Sequence, residues 1–149
     1  MSQHQNKILS SLLVHIGYHK TGSTWLQEEL FKPDGEFFVP LYPPGNPKEG
    51  RKFRKLFVRD KERYLLSPFE LNTAEILEEL DAMLGAIELG GRIPVLSYER
   101  LSGNPHSGGF DARVIADRIK VCFPDAKIFC VIREQKDMIL STYFQYLKI

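Results

Sequence analysis

Eight residues, Gly17-Tyr18-His19-Lys20-Thr21-Gly22-Ser23-Thr24, constrain this chain more than any other segment. They are polar and bracketed by glycine. The run before them, residues 11–16, is short and apolar and reads as a buried strand closed by Gly17. After them Trp25, Leu26, Glu28, Glu29, Leu30 and Phe31 set out a helix that begins at Ser23 and is stopped by Pro33 and Gly35. A strand, a tight glycine loop and a helix in succession aim backbone N–H groups and a helix start at one point. An anionic oxygen is the natural occupant of such a point.

The rest of the chain repeats the alternation. Asn72 is a plausible cap for a helix whose buried face is Ile76, Leu77, Leu80, Met83, Leu84 and Ile87, ended by Gly90-Gly91. Ile93 to Ser97 reads as a second strand. A helix from Asp111 to Cys122 buries Val114, Ile115, Ile119 and Cys122, and Pro124-Asp125 breaks it. Lys127 to Ile132 reads as a third strand with Arg133 at its carboxyl end, followed by a helix from about Glu134 onward. Arg51 to Tyr64 is a further helix candidate. Residues 33–50 carry five prolines and are expected to be irregular. Residues 1–10 read as a flexible tail, and residues 11–149 as one nucleotide-binding domain.

Apolar strands alternating with amphipathic helices predict an α/β fold, a parallel sheet with helices on both faces in three layers. Ligands of such sheets sit beyond the carboxyl ends of the strands. The loops at 17–24, 97–106 and 133–141 are therefore the expected site. The charge balance sends any anion to a local site as well. Lys plus Arg number 20 against 19 Asp plus Glu, for a net charge of +1, so no global field favours nucleic acid or an anionic membrane. There is no apolar run of membrane-spanning length and no signal-peptide pattern, and the expected location is cytoplasmic. Cys122 and Cys130 are too few for a disulfide scaffold and are expected to be reduced and buried, Cys122 ending a helix and Cys130 inside a strand.

Set against the nucleotide P-loop pattern GxxxxGK[ST], Gly17, Gly22 and Thr24 fit, but Ser23 stands where the lysine belongs and a lysine comes three residues earlier, at Lys20. Arg133 stands at the end of an apolar strand, where a kinase or NTPase would carry an acidic residue. Both features weaken a P-loop kinase or NTPase reading.

The string Lys20-Thr21-Gly22-Ser23-Thr24-Trp25 resembles the 5′-phosphosulfate loop of sulfotransferases that use 3′-phosphoadenosine 5′-phosphosulfate (PAPS) as donor. A second segment, Ala126 to Arg133 followed by Asp137 and Ser141-Thr142-Tyr143-Phe144, resembles that family's 3′-phosphate motif. The resemblance implies a P-loop NTPase-like topology and transfer of a sulfuryl group from PAPS to a hydroxyl or amine acceptor, leaving PAP. It implies no metal. Lys20 is then expected at the 5′-phosphate and bridging oxygen, and Thr21, Gly22, Ser23 and Thr24 around the 5′-phosphate. Trp25 is expected on the adenine, with a place in the core as its alternative, and Arg133 and Ser141 at the 3′-phosphate. The catalytic base of the family lies near the end of the intervening strand. Glu99 is the candidate here and His106 the second, while an ion pair with Arg100 is the competing role for Glu99.

The family fold continues past its second motif, so the chain is expected to carry it incompletely, truncated at the C-terminus. Two consequences follow. The chain is either an active sulfotransferase or a nucleotide-binding fragment without turnover, and self-association or a complementing segment through the last helix is expected. A small-molecule or carbohydrate acceptor is what the resemblance leads one to expect, with Phe37, Phe38, Tyr42, Phe53 and Phe57 hinting only at an apolar wall.

Overall fold

The computed structural model describes residues 3–18, 20–41, 73–85, 87–104 and 108–147. Its described elements are α1 (Gln3–Ser10), β1 (Leu13–Ile16), α2 (Ser23–Trp25), β2 (Phe38–Pro40), α3 (Thr73–Leu84), β3 (Ile93–Tyr98), α4 (Ala112–Cys122), β4 (Lys127–Phe129) and α5 (Gln135–Leu147). The chain is α/β. Its four described strands are all parallel, in the order β2-β3-β1-β4.

Residues on opposite sides of the pleat meet different helices. Val14 of β1 and Leu96 of β3 are in register and face one core. That core holds Ile8 of α1, Ile76 and Leu84 of α3, and Ile115, Ile119 and Cys122 of α4. Each such aliphatic side chain contributes about 1.5–3 kcal/mol when fully buried. The opposite side carries His15, Ser97 and Phe129, also in register, and is covered by the segment that follows the glycine loop. There α2 loosens into a π turn, Leu26–Leu30, closed by Phe31 N–H on the Leu26 carbonyl at 2.7 Å. Phe31 is buried against His15, with ring centroids 5.7 Å apart.

Several sequence expectations need correction. The tail is a helix: α1 spans Gln3–Ser10, and Ile8 is fully buried. Its two apolar residues are enough to anchor one turn on the core. The irregular stretch contains a strand, because Phe38–Pro40 pairs with β3 at the edge of the sheet. Pro40 is tolerated there because an edge residue can leave its missing N–H on the open side. Arg92 holds this connection, donating to the Pro33 carbonyl at 2.7 Å and the Glu88 carbonyl at 2.9 Å.

The helix expected to run to Gly90-Gly91 ends at Leu84. The two glycines instead form the turn into β3, both at positive φ, with Arg92 N–H on the Leu89 carbonyl at 2.8 Å. β4 stops at Phe129, three residues short of the expected strand; among the described residues it lies at the edge of the sheet and pairs only with β1. Cys130 thus lies just beyond the strand, partly buried, while Cys122 ends α4 and is buried; both are free thiols. Asn72, the 51–64 helix and the aromatics Tyr42, Phe53 and Phe57 lie outside the described residues.

Candidate functional site

The three loops named by the sequence converge at the carboxyl ends of β1, β3 and β4. β1 leads into the segment on the His15 face of the sheet and β3 leads toward α4 on the Val14 face, the arrangement in which ligands of parallel α/β sheets bind outside the carboxyl ends. The loop after β1 is tightly wound. Lys20 is the one described non-glycine residue at positive φ, 65°, and Gly22 follows at 86°. The Thr21 hydroxyl donates to the Tyr18 carbonyl at 2.6 Å, closing the loop on itself. Leu26 N–H then reaches the Gly22 carbonyl at 3.0 Å and starts the helix. The N–H groups of the first helical turn have no intrahelical acceptor and point out of that end.

Ser23 occupies the inside of the loop. It is 2% exposed, and its hydroxyl has no hydrogen-bond partner among the described residues. Gly17 makes room for it: a Cβ on Gly17 would lie 2.5 Å from Ser23 Oγ and 3.4 Å from Glu99 Cα. The bare Gly17 Cα thus leaves the space that the Ser23 hydroxyl fills. A buried hydroxyl left unpaired costs about 1–3 kcal/mol. Its orphaned state, inside a glycine-framed loop, fits a site built for an anionic oxygen.

After β3 the chain makes a 3₁₀ turn, Glu99–Ser102. The Ser102 hydroxyl lies 2.8 Å from the Gly17 carbonyl and 2.9 Å from the Glu99 carbonyl, so it ties this turn to the glycine loop. Glu99 is half-buried at the start of the turn. His106 and His19 lie outside the described residues.

The third loop arrives from β4. Arg133 Nη1 donates to the Lys20 carbonyl at 3.3 Å, and Nη2 stands 3.7 Å from Asp137 Oδ2. Glu134 caps α5, accepting Asp137 N–H at 3.1 Å. The structure therefore brings the two motifs together through Lys20 and Arg133. It does not bring Ser141 into a hydrogen bond with Arg133. Ser141 lies one helical turn beyond Asp137 on α5, so an anion held by Arg133 and Ser141 has to compete with the Asp137 carboxylate.

No family model matches the chain, and no curated protein or solved structure matches it either.

Trp25 is 63% exposed, beside the exposed Thr24, and so is not the core residue that a helix position would allow. Phe37 is exposed as well, whereas Phe38 packs edge-on to Phe31. Among the described residues no group of three or more His, Cys, Asp or Glu is arranged to hold a metal ion, and no helix is long and apolar enough to cross a membrane.

Sequence reading missed three contributors: Ser97, Ser102 and Gln27. Gln27 Nε2 donates to Ser97 Oγ at 3.1 Å and to the Ser97 carbonyl at 3.3 Å, and Ser97 Oγ lies 2.8 Å from His15 Nδ1. For Ser97, as for His15, the available signal was a polar residue interrupting an apolar strand, two positions before Glu99 and Gly17; Ser102 and Gln27 carried no such signal. Burial pulls the His15 pKa below 6.5, keeping the imidazole neutral.

Proposed function

We propose that this chain binds PAPS and PAP at the carboxyl end of its sheet and acts as a sulfotransferase toward a hydroxyl or amine acceptor. The observation that carries the reading is the Arg133–Lys20 hydrogen bond. It joins two segments that separately resemble the 5′-phosphosulfate and 3′-phosphate motifs of one family. The orphaned Ser23 hydroxyl and the space kept by Gly17 support the 5′ end of that site. The strand order, with β1 between β3 and β4, supports a P-loop-like topology.

In this reading PAPS supplies an activated sulfuryl group, and the protein positions it and stabilises charge. The Thr21–Thr24 backbone and the Ser23 and Thr24 hydroxyls hold the 5′-phosphate. The Lys20 ammonium meets the negative charge that grows on the leaving phosphate. Arg133, with Ser141, reads the 3′-phosphate by exchanging Asp137 for phosphate oxygens, for which the guanidinium fork is suited. Glu99, or His106, takes the acceptor proton. Trp25 offers an exposed ring face to the adenine.

The acceptor is a small molecule or a carbohydrate. The test is titration calorimetry of the whole chain with PAP, ADP and ATP, followed by a PAPS turnover assay. PAP should bind more tightly than ADP, and equal affinities would remove the 3′-phosphate assignment.

A second reading is favoured by one observation. Ile139, Leu140, Tyr143, Phe144 and Leu147 of α5 are all more than half exposed. A chain that binds the nucleotide, but turns it over only when a second copy or a complementing segment covers α5, accounts for that surface. Size-exclusion chromatography run beside the turnover assay separates the two. Turnover by a stable monomer favours the first, and turnover only in an associated form favours the second.

A further inference from the structure

Beneath the phosphate loop lies a small polar network that the proposed chemistry does not use. His15, Ser97 and Gln27 come from β1, β3 and the π turn after α2. Gln27 donates twice to Ser97, once to the hydroxyl and once to the carbonyl, and the Ser97 hydroxyl meets His15 Nδ1. His15 is fully buried between Phe31 and Phe129, whose ring centroids lie 5.7 and 5.4 Å from its own. Its Nε2 has no partner among the described residues.

Packing alone does not account for this arrangement. Strands of a parallel sheet are served by Val, Ile and Leu on both faces, and a polar group buried there is destabilising unless it is fully paired. Here a buried imidazole nitrogen stays orphaned and the helix relaxes into a π turn, a feature that recurs at functional sites. Directional hydrogen bonds supply what apolar packing does not, a defined rotation and height of the helix over the sheet. The three residues also sit where such control has most effect. His15 and Ser97 are two positions before Gly17 and Glu99, and Gln27 is three positions after Thr24.

Building on the nucleotide-site reading above, we infer that His15, Ser97 and Gln27 are positioning residues that lock the helix opening the phosphate loop onto the end of β3. They thereby set the separation between the donor anion and Glu99. None of them touches the nucleotide. They act through the helix start on one side and the Glu99 turn on the other.

The test uses the full chain with Ser97→Ala, Gln27→Leu and Ser97→Thr, which keeps the hydroxyl. Amide hydrogen exchange without nucleotide should speed up across residues 20–26 in Ser97→Ala and Gln27→Leu, by about tenfold, and stay unchanged in α4. In PAPS turnover the same two variants should lose about 10- to 100-fold in kcat, the scale of a small misplacement, while PAP affinity changes far less. Ser97→Thr should restore both. Unchanged loop exchange, or loop and α4 loosening together with kcat following stability, overturns the inference. If the wild-type chain binds no PAP, the nucleotide reading falls, and the exchange comparison still decides whether the network positions the loop.

Discussion

Arg133 donates to the main-chain carbonyl of Lys20 across 113 residues of sequence, at 3.3 Å. The contact is to backbone, so it depends on the loop conformation and not on the lysine side chain. It also leaves the Lys20 ammonium available to a ligand. Arg133 is shared between this carbonyl and Asp137 one helical turn away, an exposed ion pair worth little by itself.

Arg133→Ala should therefore cost almost nothing in stability and act on ligand choice. Removing a charge-assisted pair to phosphate costs about 1.5–3 kcal/mol, or roughly 10- to 100-fold in affinity. PAP should weaken by that factor and ADP hardly at all. Calorimetry of the variant against both nucleotides measures it; a parallel loss for PAP and ADP would show that Arg133 shapes the loop and does not read the 3′-phosphate.

Lys20→Ala separates binding from rate. If the ammonium matters most as charge builds on the leaving phosphate, kcat should fall by about 10²–10³ while PAP affinity changes much less. Steady-state kinetics on PAPS beside PAP titration gives both quantities. Normal turnover in this variant would take Lys20 out of the chemistry.

Gly17→Ala tests the cradle without altering charge. The new Cβ would meet Ser23 Oγ at 2.5 Å and Ser23 Cβ at 3.3 Å, so the buried Ser23 side chain must shift from its place inside the loop. Overpacking of this kind costs about 1–3 kcal/mol. The melting temperature should drop and PAP binding should be lost. Unchanged PAP affinity would mean that the loop does not hold the nucleotide.

Two buried groups set opposite pH limits. The His15 pKa lies below its usual 6.5 because burial disfavours the imidazolium. The unfolded chain therefore binds the extra proton first, and stability should be full above about pH 6.5 and decline as pH falls toward the folded pKa. Burial raises the Cys122 thiol from 9.0 to about 11, partly offset by Arg118 nearby. The unfolded thiol ionises first, so stability should hold below pH 9 and fall between about 9 and 11, by up to about 3 kcal/mol. Denaturant midpoints from pH 5 to 11 trace both limbs. Replacing Cys122 with Ala should remove the alkaline limb specific to that thiol, and its persistence would assign the loss elsewhere.

Local pattern alone reached some of this protein. The apolar run ending at Gly17, the glycine loop, and the helical faces built on Ile76, Leu84, Ile115 and Ile119 are legible because burial repeats with the period of the element that carries it. The motif residues from Lys20 to Trp25, and Arg133, were likewise visible as strings. Other features depend on partners distant in sequence. Whether Ile8 is tail or core depends on a sheet that packs against it. Pro40 is acceptable in a strand because β2 lies at an edge of the described sheet, and among the described residues β4 pairs only with β1, as far as Phe129. Trp25 is exposed because the helix turns another face inward. The meeting of Arg133 with Lys20, and of Gln27 and His15 on Ser97, follows from strand order and from which side of the sheet each helix takes. Those are properties of how the whole chain packs, set by the mutual burial of elements far apart in sequence, and no local window of residues encodes them.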